Sequence, residues 1–241
     1  MSKISVITIV KNDPSGLLKT IESVKCQTIK PFQFILIDGG SSDHTMEVVN
    51  EDKDIFNLII SEDDKGIYDA MNKGIKNADG DWLIFMNAGD IFSNRDAIEN
   101  LQYEMNAYEE VDIFYSDTIV AWRDKKRVAH ASRLKRKFIH QSICYKKKLH
   151  NEFGNYIAIK GFNVADYLFF IGLPVSVSWK KIKKIISEID PYGLSSNSIN
   201  FKQKVLVDIL LGFMSFYSGG VKILIHPLYY GIKRKIKRRY K

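Results

Sequence analysis

Residues 58–90 read LIISEDDKGIYDAMNKGIKNADGDWLIFMNAGD, and this stretch decides the fold class. Leu58 to Ile60 is a short apolar run, ended by Ser61-Glu62-Asp63-Asp64. Ile67, Ala70, Met71, Gly74, Ile75 and Ala78 then recur at i, i+3, i+4, i+7, i+8 and i+11, one face of a helix. Trp82 to Met86 is another apolar run, ended by Asn87-Ala88-Gly89-Asp90. Strand, acidic loop, helix, strand and acidic loop thus follow one another within one segment.

The same alternation runs upstream. Ile4 to Val10 is β-branched and is followed by the breakers Asn12, Asp13 and Pro14. Leu17, Leu18, Ile21 and Val24 recur at helical spacing. Phe34 to Ile37 is ended by Asp38-Gly39-Gly40-Ser41-Ser42-Asp43. Short apolar strands alternating with helices predict a mostly parallel, Rossmann-like α/β sheet with helices on both faces. Such sheets bind ligands at the carboxyl ends of their strands. Here the second, third and fourth strands all end in acidic loops that carry glycine.

Downstream, Val111 to Val120 reads as one further strand, and residues 123–148 read as basic and irregular. Residues 160–190 read as helix, a short apolar run and more helix. From Val205 the chain becomes VLVDILLGFMSFYSGGVKILIHPLYYGIKRKIKRRYK, apolar and then strongly basic.

Of the 241 residues, 45% are hydrophobic, too many for a disordered chain. The two cysteines, Cys26 and Cys144, are too few for a disulfide scaffold or a Cys-rich zinc site, and suit a reducing compartment. The opening MSKISVITIV is not expected to be a secretory signal. Charge is strongly segregated: residues 1–121 carry 10 Lys/Arg and 22 Asp/Glu, residues 122–221 carry 18 and 6, and residues 222–241 carry 8 and none. The acidic half suits metal or sugar chemistry. The basic parts suit anionic ligands or a membrane surface.

No Walker-type phosphate loop is present, and GGSSD is not the glycine pattern of a dinucleotide-binding dehydrogenase. Carboxylates at strand ends can accept hydrogen bonds from ribose hydroxyls or a base N–H. They can also hold Mg2+ or Mn2+, which favour oxygen ligands and share coordination with substrate phosphates.

The strand-1 ITIVKND, then LIDGGSSDHT, SEDDKGIYDAMNKGIKNADGDWLIFMNAGD, FIHQSICY, FNVADYLFF and GLSSN follow in an order that resembles family 2 glycosyltransferases of the GT-A fold, most of all bacterial members that build surface polysaccharides. The likeness covers roughly residues 1–200. It implies a catalytic domain over 1–200, with 1–121 as a nucleotide-sugar half and 122–200 as an acceptor half. A C-terminal helical, amphipathic and basic extension over 201–241 lies outside it.

The resemblance implies that Asp38 and Asp64 contact the nucleoside, with Thr8, Val10 and Asn12 lining the base and ribose pocket. Taken alone, Asp38 is equally readable as an Asx-type turn residue; with the family pattern around it, ligand binding is the expectation. Asp69 and Asn72, off the apolar stripe of their helix, either contact the donor or cap and solvate that helix. The family's metal motif, usually Asp-x-Asp, here reads Asn87-Ala88-Gly89-Asp90. Asp90 is the expected ligand for Mn2+ or Mg2+, with Asn87 offering a neutral oxygen. The alternative for Asp90 is a helix N-cap near Asn94. His140 and Gln141 match the family's pair on the diphosphate side, and a lone His is otherwise more often structural.

Asp166, flanked by apolar residues, matches the catalytic base of an inverting enzyme; a salt bridge is the alternative. Trp122, Arg123, Arg133 and Lys135 to Lys137 attract an anionic acceptor or form a solvated surface. Tyr192 to Ser196 resemble a structural or acceptor-side turn. Val205 to Ile225 is too interrupted to span a bilayer and suits an interfacial helix, backed by the basic run Lys233 to Lys241. A packed helix with a solvated tail is the alternative.

The expected function is transfer of a sugar from a nucleotide sugar, by default a UDP-sugar, to a lipid-linked or saccharide acceptor in surface-polysaccharide synthesis. The expected location is cytoplasmic, peripheral on the inner face of the membrane and held to anionic lipid by the tail. The rival readings are a basic nucleic-acid-binding protein and an inactive, scaffold-like member of the family. No nucleic-acid motif supports the first, so no nucleic-acid partner is expected. Intact Asp90 and Asp166 oppose the second.

Overall fold

The computed structural model describes residues 2–122, 125–190 and 198–224. In chain order the elements are β1 (Ile4–Val10), α1 (Pro14–Lys25), β2 (Gln33–Asp38), α2 (Thr45–Glu51), β3 (Leu58–Ser61), α3 (Ile67–Asn77), β4 (Trp82–Phe85), β5 (Ile91–Phe92), α4 (Ala97–Ala107), β6 (Ile113–Tyr115), β7 (Thr118–Trp122), β8 (Lys125–Ala129), β9 (Ile143–Lys146), α5 (Lys148–Phe153), α6 (Ala165–Gly172), β10 (Trp179–Lys181), β11 (Ser187–Ile189) and α7 (Ser198–Leu210).

One sheet has the order β10-β6-β9-β4-β1-β2-β3. The pairs β1–β2, β2–β3 and β1–β4 are parallel. β9 runs antiparallel to both β4 and β6, while β10 is parallel to β6. The chain steps outward from β1 to β3 and then returns through α3 to the other side of β1. A reversal of strand order leaves a crevice at the carboxyl ends of the two strands it separates, here β1 and β4.

Alternation along β1 supplies both faces of the sheet with apolar side chains. Ile4 and Val6 pack with Phe34 and the α4 residues Ile98 and Leu101. Val10 packs with Leu36 and the α1 residues Leu17 and Ile21. On the opposite face α3 presses so closely that a Cβ on Gly74 would lie 2.5 Å from Ile7 Cγ2 and 3.6 Å from Ile37 Cγ1. α1 starts where Asp13 accepts from the Gly16 N–H at 2.9 Å, with Pro14 opening the first turn.

Three local expectations are corrected. The strand expected over Val111 to Val120 is two strands in different sheets, β6 and β7. Asp117 makes the corner by accepting from Ala131 N–H at 2.8 Å, beside His130 Nδ1 at 2.9 Å and Lys181 Nζ at 2.5 Å. Despite partial burial, these partners hold the Asp117 carboxyl down at about 2. The segment read as irregular contains β8 and β9, and the segment read as late helix contains β10 and β11. Tertiary pairing decides all four: among the described residues β8 pairs only with β7, and β11 lies between β5 and β7.

The described residues form two compact units, one from 2–160 and 173–190, the other from 161–172 and 198–224. In the second, α6 and α7 are joined by Tyr167, whose hydroxyl donates to Asp208 Oδ1 at 2.8 Å. Gln203 on α7 holds the approach to α6, donating to Gly161 O at 2.6 Å and accepting from Asn163 N–H at 2.9 Å. A further helical segment, 216–224, approaches α7 where a Cβ on Gly219 would lie 2.3 Å from Ile209 Cδ1. Among the described residues no helix is long and apolar enough to cross a membrane.

Candidate active site

Asp38 closes β2 and is fully buried. Its carboxylate accepts from the Ser41 N–H at 3.1 Å and from the Ser61 hydroxyl at 2.7 Å. The turn reading of Asp38 is therefore realised, and Ser61 at the end of β3 adds a cross-strand donor. Asn12, just past β1, joins the same loop: its N–H donates to Ser41 Oγ and its Oδ1 accepts from Ser42 N–H, both at 2.8 Å. Asn12 has φ 53°, a left-handed conformation that asparagine tolerates better than most residues. Asp64 lies against the same turn, since a Cβ on Gly39 would meet Asp64 Oδ2 at 2.2 Å. The Asp64 carboxylate thus occupies the space that a side chain at position 39 would fill. The ends of β1, β2 and β3 thus form one polar ledge.

Two expected contacts change in kind. Thr8 is fully buried and donates to Met86 O at 2.7 Å, and Val10 belongs to the core. Both side chains point inward because β1 is the central strand and is covered on both faces. Asp69 accepts from the Lys65 N–H at 3.0 Å and pairs with Lys73 at 3.6 Å, so it ties the loop before α3 to the helix. Asn72 neither caps nor solvates α3. Its amide clamps the Tyr156 backbone, donating to Tyr156 O at 2.8 Å and accepting from Tyr156 N–H at 3.1 Å.

The loop after β4 is anchored by Thr20 of α1. The Thr20 hydroxyl lies 2.7 Å from Asp90 O and 3.1 Å from Asn87 O, and accepts from Gly89 N–H at 3.1 Å. Gly89 has φ 89°, which bends the loop back toward α1. Asp90 is 8% exposed, and Gln141 Nε2 donates to its Oδ2 at 2.7 Å. Burial pushes the Asp90 carboxyl up to about 7; the Gln141 bond opposes this, the nearby Asp190 charge adds to it, and the Asp190 N–H opposes it. Asp90 is not an N-cap, since α4 begins only at Ala97.

Asn87 Oδ1 is buried and has no hydrogen-bond partner. An orphaned buried oxygen is costly. Here it stands three residues from a desolvated carboxylate, and two hard oxygens of this kind fit Mg2+ or Mn2+. Among the described residues no group of three or more His, Cys, Asp or Glu could hold a metal alone. A cation held here would therefore draw further ligands from diphosphate or water.

His140 and Gln141 lie in a single 3-10 turn, His140–Ser142, ahead of β9. Gln141 faces Asp90, whereas His140 is buried against the Phe85 ring at 4.8 Å between centroids. Asp166 lies half-buried in the first turn of α6, in the second unit. Sequence reasoning missed Thr20, Tyr156 and Asp190. Thr20 carried a signal, being a hydroxyl on the otherwise apolar stripe Leu17, Thr20, Ile21, Val24. The turn around Tyr192 to Ser196, Arg123 and the basic run Lys233 to Lys241 lie outside the described residues.

An α/β sheet with acidic strand ends and a β1/β4 switch point defines a class of fold that solved structures share. Staphylococcus aureus TarS in complex with UDP-GlcNAc aligns with TM-score 0.69 over 86% of this chain and 66% of its own, at 15% identity. The mannosyltransferase PcManGT from Pyrobaculum calidifontis, in complex with GDP-Man and Mn2+, aligns with TM-score 0.67 over 88% of this chain and 64% of its own, at 14% identity. The fold is GT-A. Residues 5–167 match Glycosyl transferase family 2, and the chain belongs to that family. A PGL/p-HBAD biosynthesis glycosyltransferase of Mycobacterium bovis is 30% identical over 213 residues, 83% of this chain and 81% of the relative. An uncharacterized glycosyltransferase of Mycobacterium tuberculosis is 43% identical over 96 residues, 39% of this chain and 37% of its own.

Proposed function

We propose that this glycosyltransferase is an inverting, cation-assisted enzyme that moves a sugar from a nucleoside-diphosphate sugar, UDP by default, to a lipid-linked or saccharide acceptor of a surface glycan. One observation carries the reading. The loops after β1, β2 and β3 are joined through Asn12, Ser41 and the Asp64 carboxylate, and β4, the other neighbour of β1, is followed by a loop that carries buried Asp90 and an unpartnered Asn87 oxygen.

On this reading the ledge of Asn12, Asp38 and Asp64 receives the nucleoside. The turn of Asn87, Asp90, His140 and Gln141 receives the diphosphate. Asp90 and Asn87 would hold Mn2+ or Mg2+, which when bound stabilises charge on the departing diphosphate. Asp166 takes the proton of the acceptor hydroxyl as that oxygen attacks the anomeric carbon. A single displacement inverts the configuration. The M. bovis relative's role in PGL/p-HBAD biosynthesis supports a glycolipid acceptor. Exposed Leu210, Phe216, Tyr217 and Leu224, followed by the basic run, support a peripheral position on an anionic leaflet.

A thermal-shift series with UDP, GDP and their sugar conjugates, with and without Mn2+, tests the reading, because a ligand of the folded state raises apparent stability by mass action. Stabilisation by one nucleotide series, increased by Mn2+, is expected. Stabilisation by DNA instead of any nucleotide sugar would point to the nucleic-acid reading.

A further inference from the structure

Behind the diphosphate turn runs a buried chain of four polar rings. His140 Nε2 lies 3.1 Å from Tyr156 Oη, Tyr156 Oη lies 2.9 Å from Tyr145 Oη, and Tyr145 Oη lies 3.0 Å from His150 Nε2. At the far end His150 Nδ1 lies 3.0 Å from Gly154 O. All four side chains are buried, with Tyr145 fully so. Two tyrosines between two imidazoles form a chain whose hydrogen-bond directions can be worked out from one end.

A carbonyl oxygen only accepts, so the Gly154 contact requires a proton on His150 Nδ1. Burial pushes the His150 imidazole down to about 4, so at neutral pH the ring is neutral and its Nε2 is an acceptor. Tyr145 must then give its single hydroxyl proton to His150. Its oxygen accepts from Tyr156, which must therefore give its proton to Tyr145. Toward His140 Nε2, at 3.1 Å, the Tyr156 oxygen can then only accept, so that nitrogen must carry a proton.

We propose that His150, acting through Tyr145 and Tyr156, locks the proton of His140 on Nε2, so that every exchange of a proton or hydrogen bond with a ligand takes place at Nδ1. The lock admits neutral His140 and its imidazolium but excludes the neutral Nδ1–H tautomer. Tyr156, Tyr145 and His150 are positioning residues, and Asn72 joins them by clamping the Tyr156 backbone to α3. Their consequence for catalysis rests on the diphosphate-side reading of His140. The tautomer itself does not.

The experiment uses the full chain without ligand, 15N-labelled at histidine, with resonances assigned by comparison with His140→Gln and His150→Gln. Two-bond nitrogen–proton correlations distinguish Nε2–H from Nδ1–H. The wild type is expected to show His150 as Nδ1–H and His140 as Nε2–H. Tyr145→Phe is expected to give His140 a mixture of tautomers. His150→Phe should do the same, while His150→Gln, which restores an acceptor for Tyr145, should return His140 to Nε2–H. An Nδ1–H His140 in the wild type overturns the lock without any variant. An unchanged His140 in folded Tyr145→Phe overturns the relay.

Turnover then separates this proposal from the functional reading. With the tautomer disturbed in Tyr145→Phe, kcat should fall up to roughly tenfold, the size of one net hydrogen bond, at unchanged donor KM. A disturbed tautomer with unchanged kcat leaves the lock standing and removes His140 from the diphosphate site.

Discussion

Asp90 and Asn87 contribute differently at the end of β4. Asp90 brings a buried carboxylate that Gln141 and the Asp190 N–H hold in place, whereas Asn87 brings a neutral oxygen. Asp90→Ala is therefore expected to abolish the Mn2+-dependent part of UDP binding, and Asn87→Ala only to reduce it. Calorimetric titration with and without Mn2+ checks this; equal losses would contradict it. Asp166→Asn should leave donor binding nearly intact and lower turnover by about 10²–10⁴-fold, the typical share of general-base assistance. Product formation at saturating donor is the measurement, and near-normal turnover sinks the assignment.

His150 has a folded pKa of about 4 against an ordinary 6.5. Between those values the unfolded chain binds the proton that the folded chain refuses. Stability is thus complete above pH 6.5 and falls as pH drops toward 4, by about 3 kcal/mol from this group. Urea unfolding at about pH 7 and about pH 4.5 should show a smaller acid loss in His150→Gln than in the wild type.

At the scale of elements, the contact of α3 with β1 and β2 sets the floor under the Asp64 loop. Replacing glycine by alanine within a helix usually stabilises by about 1 kcal/mol. At Gly74 the sign reverses, because the added methyl would meet Ile7 Cγ2, a rigid β-branched atom in the fully buried central strand. Overpacking of this kind costs about 1–3 kcal/mol. Gly74→Ala is expected to lower Tm by roughly 2–12 °C, given about 2–4 °C per kcal/mol at this size. A raised Tm would show that α3 can move away at no cost.

At the scale of the whole chain, the expected tail does not begin as a free appendage. Val205 and Val207 are buried, and Asp208 anchors Tyr167, the neighbour of Asp166. A deletion from Val205 would therefore damage α6 as well as any membrane contact. A deletion beginning at Gly212 keeps α7. It is expected to preserve UDP binding and to lose binding to all vesicles. Neutralising Lys233 to Lys241 should weaken binding mainly to anionic vesicles at low salt, since screening removes the electrostatic part first. Cosedimentation at two salt concentrations separates the two effects. Vesicle binding by the shortened protein would place the membrane contact elsewhere.

Much of the nucleotide-side scaffold was legible because it is local. β1 spans Ile4–Val10, as the β-branched run required, and α3 buries Ala70, Met71, Gly74 and Ile75 on the expected stripe. Strand ends at Asp38 and before Asp90 followed from glycine and polar breakers in the sequence itself. The sequence by itself also placed the chain in its family, through motifs in their order. Tertiary structure decided what those motifs touch. Gln141 meets Asp90 across 51 residues, Thr20 meets it across 70, and Asn72 meets Tyr156 across 84. No periodicity within one element encodes such pairs, because each depends on which strands become neighbours. The same holds for β8 to β11, short strands whose polar or brief runs become strands only when a partner edge supplies their hydrogen bonds. Propensity and pattern are local quantities; burial of a carboxylate, the direction of a hydroxyl and the tautomer of an imidazole belong to the packed chain.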